Sequence, residues 1–276
     1  MTITRILRLA DGATAETDFG NGRPIPTVAT RRGEWTDFAA SLEVGHGLDP
    51  WEALARNGSL RGGARVTIEG DVWRLRSELR WATAPSVDQV RRSFREASHV
   101  LAGDPAKRKP EPAADDTSWA AWTAGVAAAG WKMSPRTDQR FVVDLDLKGG
   151  FRQATGEPCG RGLRLSVPIG KTQWTAPECR LAAGRFLLAA TDAVRLVRAA
   201  YTSRRGLGLE VALPPGSAAP DLDAALGALA LASQLVGLEV DALSDPAFAR
   251  RYLDSTLTKE RLCEWTTATA EFSCSK

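Results

Sequence analysis

The chain has 276 residues, 43% hydrophobic and 25% charged, which are globular values that exclude wholesale disorder and a collagen-like polymer. Lys and Arg total 36 against 33 Asp and Glu, and so small an excess gives no electrostatic reason to expect a phosphate-backbone ligand. At about 150 residues per domain, one large domain or two small ones are both open.

Met1 to Ile6 carries no basic stretch followed by an apolar run of signal-peptide length, so a soluble cytoplasmic protein is expected. Ile3, Arg5, Leu7 and Leu9 share one face of a predicted strand. Gly20 to Pro26 reads as a turn region. Trp35, Phe38 and Leu42, then Trp51, Leu54 and Ala55 beyond Gly45-His46-Gly47, fit short helices. Asp49-Pro50 supplies a capping side chain and a proline at the first helical position. Ala64 to Ala82 reads as a hairpin turning at Gly70-Asp71. Ser86 caps a predicted helix over Val87 to Leu101, with Val87, Val90, Phe94, Ala97 and Leu101 at helical spacing.

Gly103 to Ser118 holds Pro105, Pro110 and Pro112, alternating charge blocks and no bulky apolar residue. Such a stretch buries too little surface to offset its ordering entropy, and it reads as a linker. Ser118 then caps an alanine-rich helix carrying Trp119, Trp122 and Val126. Phe141 to Leu147 alternates, with Phe141, Val143, Leu145 and Leu147 on one face and Val142, Asp144 and Asp146 on the other. Phe151 to Ala154 continues that ladder, and Gly162 to Ile169 is a further strand. A long helix is expected from Pro177 to Tyr201, then a strand over Leu207 to Leu213. The apolar stretch from Asp221 to Leu243 contains Asp223, Ser233, Gln234, Glu239 and Asp241, which makes it a core helix rather than a membrane span. Asp245-Pro246 starts a last helix through Tyr252, and residues 256–276 read as a tail. Helix, hairpin, helix thus occurs on either side of the linker. The expected fold is α+β, with antiparallel sheets flanked by helices, arranged as two similar units in tandem: 1–102 and 119–255, joined by 103–118.

No motif supplies reactive chemistry. Gly170-Lys171-Thr172 lacks the earlier glycine of a phosphate loop, since Leu165 stands there. Asp144 and Asp146 share a strand face, but no third oxygen ligand lies at a suitable spacing, and a solvated face explains the alternation. The pairs in Gly20-Asn21-Gly22, Gly160-Arg161-Gly162 and Gly206-Leu207-Gly208 are turn residues. Two histidines, His46 and His99, leave acid–base catalysis poorly supplied. Cys159, Cys179, Cys263 and Cys274 form no C-x-x-C pair and read as reduced thiols, with a Cys159–Cys179 bridge left open. No catalytic residue, cofactor or metal ligand is therefore expected. Arg185, Arg195 and Arg198 form a stripe on the predicted long helix, with Arg204-Arg205 just past its end and Asp192 placed to pair with Arg195. That stripe is either a solvated face or a contact for an acidic or nucleic-acid partner.

The stretches FVVDLDLKGGFRQA, GLRLSVPIG, RLAAGRFLLAATDAVRLVRAAY and LGLEVALP, in that order within residues 118–254, resemble the type III secretion chaperone-like fold. The first half looks like a divergent copy. Such chaperones are small, usually acidic homodimers that bind an extended client segment. The resemblance therefore implies that the two halves pair within one chain as a pseudo-dimer, giving a monomer, with a homodimer as the other arrangement. This chain departs in being slightly basic and in carrying two units. The function expected is a non-enzymatic, chaperone-like module that recognises a protein segment through a sheet edge and apolar pockets. Trp73, Trp81, Phe141, Val143 and Leu165 are its candidate contacts. The alternative is a nucleic-acid-associated accessory protein contacting its partner through Arg195 and Arg198.

Overall fold

A computed structural model of the chain describes residues 2–9, 12–18, 24–32, 35–42, 49–70, 72–80, 116–137, 139–147, 150–169 and 174–257. The first half opens on a four-stranded meander: β1 (Thr2–Leu9), β2 (Gly12–Asp18), β3 (Pro24–Arg32) and β4 (Trp35–Leu42). Helix α1 (Pro50–Ser59) follows, then the hairpin β5 (Arg65–Glu69) and β6 (Val72–Arg80). The second half begins with α2 (Asp116–Ala128) and repeats the order: β7 (Met133–Thr137), β8 (Arg140–Leu147), β9 (Gly150–Cys159), β10 (Gly162–Pro168), helix α3 (Pro177–Ala193), then β11 (Arg198–Thr202) and β12 (Gly206–Leu213). Helices α4 (Ala219–Ala242) and α5 (Pro246–Thr256) complete it.

Each half builds a six-stranded antiparallel sheet, in the orders β1-β2-β3-β4-β6-β5 and β7-β8-β9-β10-β12-β11. The fold is α+β. In both sheets the helix lies between the fourth and fifth strands in sequence, and the sixth strand inserts between the fourth and the fifth. The unit common to the halves is therefore meander, helix, hairpin, and it matches α1 with α3. The helix–hairpin–helix order expected from the sequence had aligned different elements.

Local chemistry explains four helix starts and one hairpin turn. Asp49 caps α1 by accepting from the Trp51 N–H at 3.0 Å, and Asp245 caps α5 by accepting from the Phe248 N–H at 2.8 Å. Pro50, Pro177, Pro220 and Pro246 each occupy a first-turn position, where a missing N–H costs nothing. Gly70, at φ 59°, supplies the left-handed residue of the β5–β6 hairpin.

Three expected elements are different. Pro24 to Pro26, expected within a turn region, open β3, where Pro24 and Pro26 pair with Asp18 and Glu16 of β2. Residues 35–42 are strand β4, held on both sides by pairing such as Trp35 with Arg32 and Trp35 with Arg80. Their apolar spacing is compatible with a helix, and the ladder overrides it. The helix expected to reach Tyr201 stops at Ala193, because Leu196 adopts φ 66° and Arg198–Thr202 pairs with β12. Helix α2 also starts at Asp116, two residues before the expected cap at Ser118. The predicted helix at Val87–Leu101, Trp81, His46 and His99 lie outside the described residues, as do the linker up to Asp115 and the tail beyond Leu257.

The second half's core lies between its sheet and the helices α2 and α4. Trp122 and Val126 from α2 meet Phe141, Val143, Leu145, Leu163, Leu165 and Val211 from the strands, with Leu222, Leu226, Leu229, Val236 and Val240 from α4. Helix α4 is long and apolar enough to cross a membrane, and in this fold those five side chains pack into the core.

Candidate functional site

The halves meet where each one's crossing helix lies on the other's sheet. Helix α1 packs chiefly on β11, and α3 packs on β5. Gly58 permits the first approach: a Cβ there would stand 2.3 Å from the Tyr201 carbonyl oxygen.

A helix end leaves its last carbonyls without intrahelical partners and accumulates negative dipole. Here arginines from the opposite sheet satisfy both needs. Beyond the end of α1, Arg198 donates to the carbonyls of Leu60 at 2.6 Å, Gly62 at 2.7 Å and Ala64 at 3.4 Å. Arg164 also donates to Leu60, at 3.2 Å, and Arg205 to Gly58, at 3.4 Å. In the other direction Arg65 donates to the Val194 carbonyl at 3.3 Å, just past α3. Asp192, in the last turn of α3, pairs with Arg76 at 2.7 Å and accepts from the Thr67 hydroxyl at 2.6 Å.

The two key arginines hold like positions, each being the first residue of the fifth strand of its half. Each also has a buried carboxylate on the sixth strand. Arg65 makes a double hydrogen bond with Glu78, their side chains 1% and 2% exposed. Arg198 pairs with Glu210 at 3.4 Å, at 2% and 5% exposure. The Glu78 carboxylate additionally accepts from the Leu196 N–H at 3.1 Å, which holds that leucine in its left-handed conformation.

Glu157 extends the network outward, accepting from Arg140 at 2.9 Å and Arg205 at 3.0 Å. Burial alone pushes its pKa up. The hydrogen bonds from Arg140 and Arg205, with the charges of Arg205 and Arg164, outweigh that and hold it below the ordinary 4.5. A carboxylate with a depressed folded pKa stabilises the protein above its unfolded pKa, and that contribution disappears as pH falls through the folded value. Glu157→Gln is expected to remove this part of the acid limb, read as urea midpoints across the acid range. An unchanged limb would show that Glu157 carries none of it.

The residues singled out from sequence are placed as follows. Phe141, Val143 and Leu165 are fully buried in the core, where the alternation of their strands aims them at α2 and α4. Trp73 is half-buried on β6, packed against the core, and Trp81 lies outside the described residues. Arg198 is buried in the seam. Arg195 follows α3, where it donates to the Asp37 carboxylate at 3.2 and 3.4 Å and sits 5.8 Å from the centre of the Trp35 ring. Arg185 donates to the Gly70 carbonyl. The expected stripe does not exist, because its residues belong to a helix, a loop and a strand, and Asp192 pairs with Arg76 instead of Arg195. Asp144 accepts from Gln153 at 3.1 Å, and Asp146 is exposed. Cys159 and Cys179 form no bridge with each other, and burial raises the Cys179 pKa above its ordinary value. Among the described residues no three His, Cys, Asp or Glu side chains gather as a metal site.

Sequence reasoning missed the Arg65–Glu78 and Arg198–Glu210 pairs. A signal was present: Ala64-Arg65-Val66, Val197-Arg198-Ala199 and Leu209-Glu210-Val211 each set one charge inside an apolar strand. Charges so placed are buried only when paired. Set against protein-family models, curated proteins and solved structures, the chain matches none.

Proposed function

We propose that this chain is a non-enzymatic, chaperone-like protein-binding module, two copies of one unit fused into an intramolecular pseudo-dimer, that takes an extended protein segment at a sheet edge. The observation that carries the reading is the reciprocity of the seam. Two sheets of one strand order exchange their crossing helices, and equivalent arginines, Arg65 and Arg198, each reach the loop that follows the other half's helix. A two-fold dimer makes each contact twice in this way. Among the described residues the outermost strands, β1 and β7, pair on one side only, and the backbone groups on the other side are what an added strand would use. The arginines of the alternative reading, Arg195 and Arg198, face Asp37 and the seam, which favours a protein partner over nucleic acid.

Two measurements test this. Light scattering on the purified chain is expected to give the mass of one chain, 29.6 kDa. Native purification is expected to bring down one protein partner in fixed stoichiometry, retained in high salt. A chain that dimerises with itself contradicts the pseudo-dimer. A chain that comes through alone, or with nucleic acid released by salt, contradicts the binding role.

A further inference from the structure

We propose that Asn57 is a plug that closes the two inner sheet edges, β5 and β11, against strand addition. Both strands end their sheets, so each carries a row of backbone groups pointing away from its partner strand. Asn57 lies in the last full turn of α1, fully buried between them. Its carboxamide is chemically a peptide group, and it bonds as a neighbouring strand would. The Val66 N–H donates to Asn57 Oδ1 at 2.8 Å, while Asn57 Nδ2 donates to the Val66 carbonyl at 2.9 Å and to the Ala199 carbonyl at 2.9 Å. One side chain thus satisfies both outward groups of Val66 on β5 and one of Ala199 on β11, one edge from each half. Gly58, the next residue, lets the helix backbone lie against the Tyr201 carbonyl on the same edge. Because α1 is held there by Arg164, Arg198 and Arg205, the plug is built into the seam. Resting on the strand-addition reading above, this confines an incoming segment to the outer edges. The closure of the inner edges stands without that reading.

The occupant of an unplugged edge is a second copy of this chain, since β5 and β11 then offer each other's unpaired groups across two molecules. The test uses the full chain with Asn57→Ala and, separately, Gly58→Ala, whose added Cβ would push the end of α1 from β11. At low concentration the Val66 amide is expected to exchange with solvent about 10- to 100-fold faster in Asn57→Ala than in the parent. As concentration rises, both variants are expected to form reversible dimers by light scattering, with Val66 protected again. Variants that stay monomeric at every concentration overturn the proposal. So does mere unfolding, or aggregation without renewed protection at Val66. Neither result bears on whether the parent chain captures a partner, so failure of the plug and failure of the binding role are separable.

Discussion

Glu78→Ala is expected to destabilise the protein by about 3–5 kcal/mol, the usual cost of stranding one member of a buried ion pair. The substitution leaves the Arg65 guanidinium buried with the Val194 carbonyl as its acceptor across the seam, and it removes the acceptor for the Leu196 N–H. The loss is also predicted to pass between the halves, because Glu78 belongs to the first sheet and Leu196 to the loop leading into β11. Urea unfolding followed by tryptophan fluorescence should therefore show one cooperative transition, shifted as a whole. Arg65→Met combined with Glu78→Leu removes both charges and should recover most of the loss, since apolar replacements of a buried pair are often neutral. A shift below about 1 kcal/mol for Glu78→Ala would mean that the pair is hydrated and does not couple the halves.

Phe141→Ala is expected to cost about 3–5 kcal/mol, as truncation of a fully buried aromatic does. The ring lies across Gly156 on the neighbouring strand: a Cβ on that glycine would stand 2.2 to 2.7 Å from the ring atoms. It also packs against Trp119, with ring centres 5.3 Å apart. The phenylalanine ring fills the space over the glycine, so truncation leaves a cavity there. Calorimetry or urea unfolding reads the stability, and partner capture per folded molecule should be unchanged. Full stability with lost capture would restore Phe141 to the contact role that its sequence position suggested.

These two residues mark the difference between what was legible in the chain and what was not. That Phe141 belongs to an alternating strand follows from a period of two over seven residues, a local property. Its direction, into the core instead of toward a partner, depends on α2 and α4 covering that face. The hairpin at Gly70, the caps at Asp49 and Asp245 and the apolar helix ending near Leu243 were readable for the same reason: their causes lie within a few residues. Residues 35–42 were misread because pairing with β3 and β6 decides their conformation, and those partners lie elsewhere in the chain.

The seam was beyond reach for a stronger reason. Arg198 and Leu60 are 138 residues apart, and nothing near either announces the other. Local patterning dictated strands, turns, caps and an α+β class, because backbone preference and hydrophobic period act over one turn or one pleat. The pairing of Arg65 with Glu78, the exchange of α1 and α3 between sheets and the seating of Asn57 came from packing, where a buried charge or amide settles wherever distant chain supplies its partner.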